Sequence, residues 1–263
     1  MLGLTGLADA VSRVAFSRQF GTGIDPLRDP TLDPLRSRNY DLSVSWYPND
    51  DTFLQVALFH KDIEDFIVRF TGGASSVERF GFTPISGDDQ VQAFINGDSA
   101  SVSGVELSYS QNYTFLPGPF DGLFAAANVT FADSEQSLAN DIDRITTFQD
   151  QADIVGNASV GWENEKVSVR LSGNYVGERI IGLNRGFLGI QFDASDELEQ
   201  ERLSIDLNAR WDINPIFQVY FDAINLNDAE DRRFFQGGGI TGPVISGVEN
   251  YGATYQFGVR ARF

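Results

Sequence analysis

Residues 252–263, GATYQFGVRARF, alternate apolar and polar side chains without interruption up to a final phenylalanine. A β-strand points successive side chains to opposite faces, so this segment has one apolar face and one polar or basic face. In a soluble sandwich the apolar face would pack on a second sheet. In an outer-membrane barrel it would contact lipid, and the polar face would line the lumen. The stretch therefore predicts a strand and leaves these two architectures open.

The same alternation recurs along the chain and predicts an all-β, antiparallel protein of about ten strands. In residues 202–213, for example, Leu203, Ile205 and Leu207 alternate with Ser204 and Asp206. The predicted strands are residues 11–20, 39–47, 52–70, 105–115, 123–131, 154–162, 167–175, 202–213, 216–226 and 252–263.

The connections between these strands alternate between long loops and short turns. The predicted long loops are residues 21–38, 71–98, 133–150, 177–201 and 227–251, and the short turns are 48–51, 116–122, 163–165 and 214–215. Transmembrane barrels have short turns on the periplasmic side and longer loops outside. Aromatic residues beside the short turns or the chain end match the expected girdle: Trp46, Tyr47, Phe115, Trp162, Trp211 and Phe263. This pattern favours a transmembrane β-barrel over a sandwich.

Composition excludes several classes of function. The net charge is −18, with 37 acidic and 19 basic residues, which is opposite to what a nucleic-acid-binding surface requires. The chain has no cysteine and one histidine, His60, so neither a cysteine metal site nor a histidine cluster is available. No cofactor is predicted. No apolar run reaches the length of a membrane-spanning helix, about 18 residues.

Several short segments resemble the C-terminal barrel of TonB-dependent outer-membrane receptors. They are residues 39–42 (NYDL), 46–47 (WY), 57–63 (ALFHKDI), 104–107 (GVEL), 116–122 (LPGPFDG), 225–228 (NLND) and the terminal strand. The NLND segment is similar to the asparagine–leucine box of that family. The resemblance identifies Tyr255, Phe257, Val259 and Phe263 as a barrel-assembly signal.

The resemblance implies a barrel of 22 strands with a plugged lumen. At the strand spacing seen here, 22 strands would need on the order of 570 residues, so the chain is too short for a whole barrel. We therefore expect residues 1–263 to be the C-terminal barrel region, with the plug domain absent from this chain. We also expect a half sheet with two unpaired edges to be unstable alone unless it closes.

The function implied by the resemblance is uptake of a scarce nutrient, of the siderophore, cobalamin or oligosaccharide class, across the outer membrane of a Gram-negative bacterium. No enzymatic activity is implied. The implied partners are membrane lipid and lipopolysaccharide, the barrel-assembly machinery, the nutrient, and the TonB complex, which would act through an N-terminal region missing from this chain.

Charged residues on the polar face are the candidate site. We expect them to face the lumen, and the arginines among them to pair with the two aspartates or with carboxylates of a plug. These residues are Arg170, Asp206, Arg210, Asp222, Arg260 and Arg262.

Two alternatives remain open at this stage. One is a small, closed, ten-stranded hydrolase built around His60, with Asp62, Glu64 and Asp65 nearby; the simpler interpretation of His60 is a girdle or lumen residue. The other is a passive structural barrel or adhesin. The acidic stretches 133–153 and 193–201 could bind a cationic ligand or divalent ions, although a solvated acidic face is the simpler interpretation.

Overall fold

The computed structural model describes residues 14–20, 23–29, 32–72, 90–97, 99–138, 144–183, 195–237 and 242–262. A short 3-10 helix, Phe120–Gly122, is the only helical element in these ranges. The strands are β1 Val14–Phe20, β2 Gly23–Asp29, β3 Arg36–Asn49, β4 Thr52–Glu64, β5 Ile67–Gly72, β6 Gln90–Asn96, β7 Ser99–Asn112, β8 Leu123–Leu138, β9 Arg144–Thr146, β10 Ile154–Glu163, β11 Val167–Val176, β12 Arg179–Gly182, β13 Ser195–Glu199, β14 Arg202–Asp212, β15 Phe217–Ile224, β16 Asp231–Gly237, β17 Val244–Glu249 and β18 Thr254–Ala261. Within the described ranges, no helix has the length and apolar character needed to cross a membrane.

The chain divides into two compact units. The first comprises Met1–Asn39, Lys61–Val102 and Ser134–Thr146, and the second comprises Tyr40–His60, Ser103–Asp133 and Thr147–Phe263. The first unit holds a four-stranded sheet of order β2-β1-β6-β5. The second unit holds most of the main sheet and another four-stranded sheet of order β12-β13-β16-β17.

The main sheet has the order β18-β15-β14-β11-β10-β8-β7-β4-β3, with β9 added beside β8 as a tenth strand. Strands that follow one another in this order lie side by side, and each pair from β8 to β18 is antiparallel. The order ends at β18 and β3, so the sheet is not closed within the described residues. The all-β, antiparallel fold predicted from the alternation is confirmed, and the open sheet corresponds to a partial barrel.

The short connections of the main sheet all lie at one end of it. Residues 50–51, 113–122, 164–166 and 213–216 join neighbouring strands there. Asparagines shape two of the short turns. Asn164 accepts the backbone N–H groups of Lys166 and Val167 at 2.8 Å, and Asn214 does the same for Ile216 and Phe217 at 2.9 Å.

The register keeps the two faces of the main sheet distinct. Between β15 and β18, Val219 lies opposite Val259 and Phe221 opposite Phe257, while Gln218 lies opposite Arg260 and Asp222 opposite Gln256. A slip of one residue would exchange these faces, so the register is strongly specified by the sequence.

The apolar face is largely exposed in the second unit. Leu42 keeps 63% of its surface exposed, Phe257 71% and Tyr255 63%. A sandwich would cover such rows with a second layer, whereas the described residues of this unit leave them open. These exposures favour contact with hydrocarbon over a soluble core, as the sequence predicts.

Two of the predicted strands differ from the structure. β1, within the predicted strand 11–20, pairs with β2 and β6 rather than joining the main sheet; residues 11–13 lie outside the described ranges. The predicted strand 52–70 is two strands, because the chain breaks at Asp65, whose φ of 56° leaves the extended region. Phe66, Val68 and Phe70 resume the parity of Leu54, Val56 and Leu58 after the polar residues His60, Asp62 and Glu64, and this common parity hid the break.

The predicted long loops contain strands. β2, β6, β9, β12, β13, β16 and β17 all lie in them, and β3, β7 and β8 extend beyond the predicted limits. Proline and glycine suggested loops, but β2 is an edge strand, where a proline such as Pro26 removes no interior ladder bond. Two of these strands pair with segments more than 30 residues away, β6 with β1 and β13 with β16, which local patterns do not reveal.

Candidate functional site

The polar face of the main sheet brings the predicted charged residues into one array. Arg170 on β11 lies opposite Asn208 on β14, Asn208 lies opposite Asp222 on β15, and Asp222 lies opposite Gln256 on β18. This row crosses four neighbouring strands. The remaining candidates lie at alternate positions and so on the same face. They are Asp206 and Arg210 on β14, and Arg260 and Arg262 in the chain's terminal segment.

Neutral groups, rather than arginines, bind the two aspartates of this face. The Asn208 amide donates to Asp222 at 2.9 Å, and the backbone N–H of Asn225 donates to Asp206 at 2.9 Å. Among the described residues, the expected pairing of Asp206 and Asp222 with the arginines does not occur, and pairing of the arginines with plug carboxylates stays a prediction. The register explains the difference, because Asn208, not an arginine, stands opposite Asp222.

The arginines of the face divide into two kinds. Arg210 has carboxylates at 3.6 Å, from Glu163, and at 3.7 Å, from Asp212. In the described part of the chain, Arg170, Arg260 and Arg262 have no carboxylate partner. The Arg260 guanidinium donates a hydrogen bond to the Gln218 side-chain oxygen at 3.4 Å.

Glycines on this face lie beneath aromatic rings of the neighbouring strand. A Cβ atom placed on Gly161 would lie 2.4 Å from Cζ of Phe124, and one on Gly258 would lie 2.4 Å from Cζ of Tyr220. Each ring thus occupies the space that a side chain on the glycine would take. The register pairs Phe124 with Gly161 and Tyr220 with Gly258 directly. The alternation pattern treats these glycines as polar-face positions and gives no signal for this packing.

Asn225 lies in the segment that resembles the asparagine–leucine box. Its side chain forms hydrogen bonds within the connection that follows β15. Its side chain accepts the backbone N–H of Ala229 at 2.8 Å and donates to the Ala229 carbonyl at 3.1 Å. The residue is only 6% exposed, and its φ is 56°. Nearby, the Asn227 amide accepts the N–H of Ile205 at 2.9 Å and donates to the Leu203 carbonyl at 2.7 Å. It thereby continues the hydrogen bonding along β14.

The sheet β12-β13-β16-β17 carries a chain of ion pairs on one face. Glu199 pairs with Arg179 and, at 3.6 Å, with Arg233, and Arg233 pairs with Glu249 at 3.1 Å. The opposite face presents an apolar row, Ile180, Leu198, Phe234 and Ile245, in direct cross-strand register.

Hydrogen bonds and nearby cations lower the pKa of two carboxyls in this sheet and its connections. The Tyr251 hydroxyl donates to Glu249, which with Arg233 nearby holds the pKa of Glu249 below its ordinary value of 4.5. The pKa of Glu230 is also held below its ordinary value, because the Arg232 guanidinium and the Asn250 amide donate hydrogen bonds to this carboxyl.

The Glu249 ion pair predicts an acid-sensitive sheet. Because folding lowers the pKa of Glu249, its contribution is fully present above the ordinary carboxyl pKa and is lost as the pH falls through the lowered value. We expect Glu249→Gln to reduce hydrogen-exchange protection of β16 and β17 at pH 7, with the difference from wild type shrinking as the pH falls below the ordinary carboxyl pKa, after correction for intrinsic exchange. Glu165→Gln, at a short turn, is the control without effect on this segment. A difference that persists in acid would contradict the assignment.

Several carboxylates of the acidic stretches have internal partners. Besides the ion pairs of Glu199, the Ser246 hydroxyl donates to Glu197 at 2.8 Å. Asp196 is buried. Among the described residues, no three His, Cys, Asp or Glu side chains are grouped so that they could hold a metal ion. The solvated acidic face expected for residues 193–201 is thus partly an ion-paired sheet.

His60 lies next to an aromatic ring and a hydroxyl. Its ring stacks on Tyr40, with centroids 6.1 Å apart, and its Nδ1 atom lies 2.8 Å from the Ser103 hydroxyl. The residue alternates in phase with Val56 and Leu58, on the apolar face. This placement suits a girdle position at the end of the apolar rows.

The terminal strand carries three of the four predicted assembly residues. Tyr255, Phe257 and Val259 are exposed on the apolar face of β18, and Phe263 lies outside the described residues. No contact in the structure tests their role as an assembly signal, which stays a prediction.

The apolar face also contains a groove of about 820 Å³. Small residues such as Ala127, Ala158 and Gly173 contribute to its lining, with Tyr175 and Leu203 also beside it. Such a surface offers little to orient a polar nutrient, so the polar face remains the candidate site.

Solved outer-membrane receptors are similar to this chain in fold. A variant of the ferric enterobactin receptor PfeA from Pseudomonas aeruginosa matches with a TM-score of 0.59 at 17% identity, over 92% of this chain and 33% of that one. The ferric yersiniabactin uptake receptor FyuA from Yersinia pestis gives 0.57 at 18%, over 93% and 32%. The FrpB iron transporter from Neisseria meningitidis gives 0.55 at 17%, over 89% and 32%.

The chain thus spans about a third of the length of these structures. A search of curated protein sequences found no match. The profile of the family described as TonB dependent receptor-like, beta-barrel, matches residues 6–226, which is most of the chain. The chain therefore belongs to the TonB-dependent receptor β-barrel family, whose members are receptors and transporters of the outer membrane rather than enzymes.

Proposed function

We propose that this chain is the C-terminal barrel region of a receptor that imports a scarce nutrient across the outer membrane. The observation that carries the proposal is the open, two-faced main sheet, which has exposed apolar rows on one side and charged rows on the other. Hydrocarbon does not tolerate unpaired sheet edges, so β3 and β18 need further strands beside them. In this proposal a polypeptide segment N-terminal to the chain supplies these strands and a plug domain.

The nutrient belongs to the siderophore, cobalamin or oligosaccharide class. The solved structures with similar folds include receptors named for ferric enterobactin and ferric yersiniabactin, which supports the siderophore class first. The sheet β12-β13-β16-β17 would contribute to the nutrient site, because it combines an ion-paired face with an apolar row in which Ile245 is 65% exposed.

The other partners follow from the two faces and the terminal strand. Lipid and lipopolysaccharide would contact the apolar face. The barrel-assembly machinery would bind the terminal strand through Tyr255, Phe257, Val259 and Phe263. The TonB complex would supply energy through the N-terminal region.

Ligand uptake by cells grown under nutrient limitation tests the proposal. The complete reading frame that contains this chain is deleted and then restored in a host with and without TonB, and uptake of labelled ferric siderophores, cobalamin and oligosaccharides is measured. We expect one ligand to be taken up only when both the receptor and TonB are present. Uptake of every ligand at the same rate without the receptor would contradict the proposal.

Gel mobility tests the partial barrel separately. A closed barrel resists unfolding by detergent and shifts its mobility only after heating. We expect such a shift for the complete polypeptide and none for residues 1–263 alone. A heat-dependent shift of the isolated chain would instead support a small closed barrel.

A further inference from the structure

The polar face of the main sheet is divided into an uncharged part and a charged part. Three consecutive rows of directly opposed residues cross β8, β10 and β11, and every member of these rows is uncharged. On β14, the next strand, the same rows reach Arg202, Ser204 and Asp206, where the charged part begins. We refer to the three rows as the uncharged wall; they are Thr130–Val155–Val176, Asn128–Asn157–Asn174 and Ala126–Ser159–Ser172.

Asparagines form the middle row of this wall. The Asn128 amide donates to the Asn157 side-chain oxygen at 2.9 Å, and the Asn157 amide donates back at 3.0 Å. The Asn174 amide donates to Asp206 at 3.4 Å, and all three asparagines are exposed. An amide has two N–H donors and two acceptor lone pairs. Each member of the Asn128–Asn157 pair therefore keeps a donor and an acceptor for a group in the lumen.

These side chains suit a neutral ligand. Amides and hydroxyls both donate and accept, so they form hydrogen bonds with the hydroxyls and amides of a ligand. An anion only accepts, and it needs cations or several donors beside it when it leaves water. Two arginines border the wall, and both are engaged. Arg202 pairs with Asp231 at 3.1 Å, and the Arg170 guanidinium carbon lies 5.3 Å from the centroid of the Phe124 ring.

The contacts that the wall offers are weak and repeated. Asn128 and Asn157 satisfy one another without a ligand, so a ligand that leaves exposes no unpaired buried group. Successive rows on one face of a sheet lie about 7 Å apart, which provides a series of similar contacts. Passage through a pore requires such binding, favourable enough for entry and weak enough for release. The wall therefore suits movement of a ligand rather than its retention.

Carboxylates at the end of the wall away from the short turns disfavour an anion independently. Asp153 precedes β10, Glu178 follows β11, and Glu201 precedes β14. Among the described residues, none of the three forms an ion pair. Desolvation, and then the carboxylates of Glu201 and Asp153, raise the pKa of Glu178 above its ordinary value of 4.5. The negative potential at this end admits neutral compounds and repels anions.

We propose that the nutrient passes along the uncharged wall of β8, β10 and β11, and that it is a neutral compound rich in hydroxyl or amide groups. This inference rests on the proposed function, which supplies the transport. It assigns the passage to one side of the lumen and separates it from the charged rows of β14, β15 and β18. It also distinguishes the nutrient from anionic ferric catecholates.

Uptake by cells that carry the complete receptor tests the class of the nutrient. The labelled compounds are a neutral ferric trihydroxamate, cobalamin, a neutral oligosaccharide and an anionic ferric tris-catecholate. We expect one neutral compound to be taken up at least about tenfold faster than the anion. Faster uptake of the anion would overturn the inference and leave the proposed function intact. Absence of receptor-dependent uptake of all four compounds would overturn the proposed function as well.

Modification of the wall after folding tests the passage. The chain has no cysteine, so Ser172→Cys introduces a single thiol into it, which a methanethiosulfonate reagent converts to a bulky uncharged adduct. We expect the maximal uptake rate of the transported compound to fall about tenfold and its Kd to stay unchanged, because the adduct obstructs movement rather than binding. The matched control is Thr254→Cys on β18, on the same face and three strands from β11 in the sheet order. Its modification should leave uptake unchanged.

Charged adducts at position 172 test the neutrality of the transported compound. Two reagents of similar size leave either an ammonium or a sulfonate group, and a neutral compound should be slowed equally by both, within about twofold. A larger difference would overturn the neutral class. Unchanged uptake after complete modification of Ser172→Cys, failure of the reagents to reach this thiol, or equal loss in Thr254→Cys would overturn the passage. Heat-dependent gel mobility shows that each variant has folded.

Discussion

Replacing Gly161 by valine should destabilise the barrel by about 3 kcal/mol or prevent its assembly. The new Cβ atom would lie 2.4 Å from Phe124 Cζ and 2.5 Å from the backbone oxygen of Val169. A ring can move aside, but a backbone oxygen of the paired strand β11 cannot move without parting the strands. The change is measured as the midpoint of urea unfolding of the refolded complete receptor and as the fraction of heat-modifiable protein in outer membranes.

The control for this change lies one strand away. A Cβ atom on Gly173 would meet nothing closer than Leu203 Cδ1, at 3.7 Å. We expect Gly173→Val to be tolerated within about 1 kcal/mol, because valine also suits a strand. Phe124→Ala should recover only part of the loss in Gly161→Val, since it removes the contact with the ring and leaves the contact with the Val169 oxygen. Equal effects at Gly161 and Gly173 would show that strand propensity, not the space beneath Phe124, controls both sites.

The main sheet could be predicted from the sequence because its strands are exposed to two different environments. Each alternating row, such as Leu203, Ile205 and Leu207 against Ser204 and Asp206, carries its own local signal of strand and face. The short turns could be predicted for the same reason, since residues such as Asn164 and Asn214 act on backbone groups two and three positions away.

The sheets formed by the long connections could not be predicted in this way. β13, with the sequence SDELE, is acidic and looks like a loop, yet it pairs with β16 more than 30 residues away in sequence. Its Glu199 is compensated by Arg179, 20 residues earlier in the same predicted loop, and by Arg233, in the predicted loop 227–251. A local pattern contains neither the partner strand nor the partner charge.

The candidate site was predictable as a set of residues but not as a set of contacts. The parity of the strands placed Arg170, Asp206 and Asp222 on one face, and the register agrees with this. Which acceptor each arginine uses depends on the cross-strand register, which places Asn208 between Arg170 and Asp222. The stacking of Arg170 on Phe124 depends on the absence of a side chain at Gly161, which alternation counts merely as a non-apolar position.

Replacing Asn225 by alanine should cost about 3 kcal/mol of barrel stability. The two hydrogen bonds with Ala229 contribute about 1 kcal/mol each when a residue is as buried as this one. The φ of 56° adds about 1 kcal/mol for alanine, which disfavours left-handed backbone more than asparagine does. The loss is measured as the shift in free energy of urea unfolding of the complete receptor, together with the amount of assembled barrel in outer membranes.

Two further variants separate these contributions and show why the position suits asparagine. Asn225→Gly keeps the left-handed backbone accessible and loses only the side-chain bonds, so it should cost about 1 kcal/mol less than alanine. Asn227→Ala removes bonds to Ile205 and Leu203 at an exposed position, where water replaces them, so we expect a cost of about 1 kcal/mol. If glycine and alanine at position 225 were equally destabilising, backbone conformation would have no part in the effect. If the glycine and alanine variants at position 225 were both as stable as wild type, the hydrogen bonds between Asn225 and Ala229 would not stabilise the barrel.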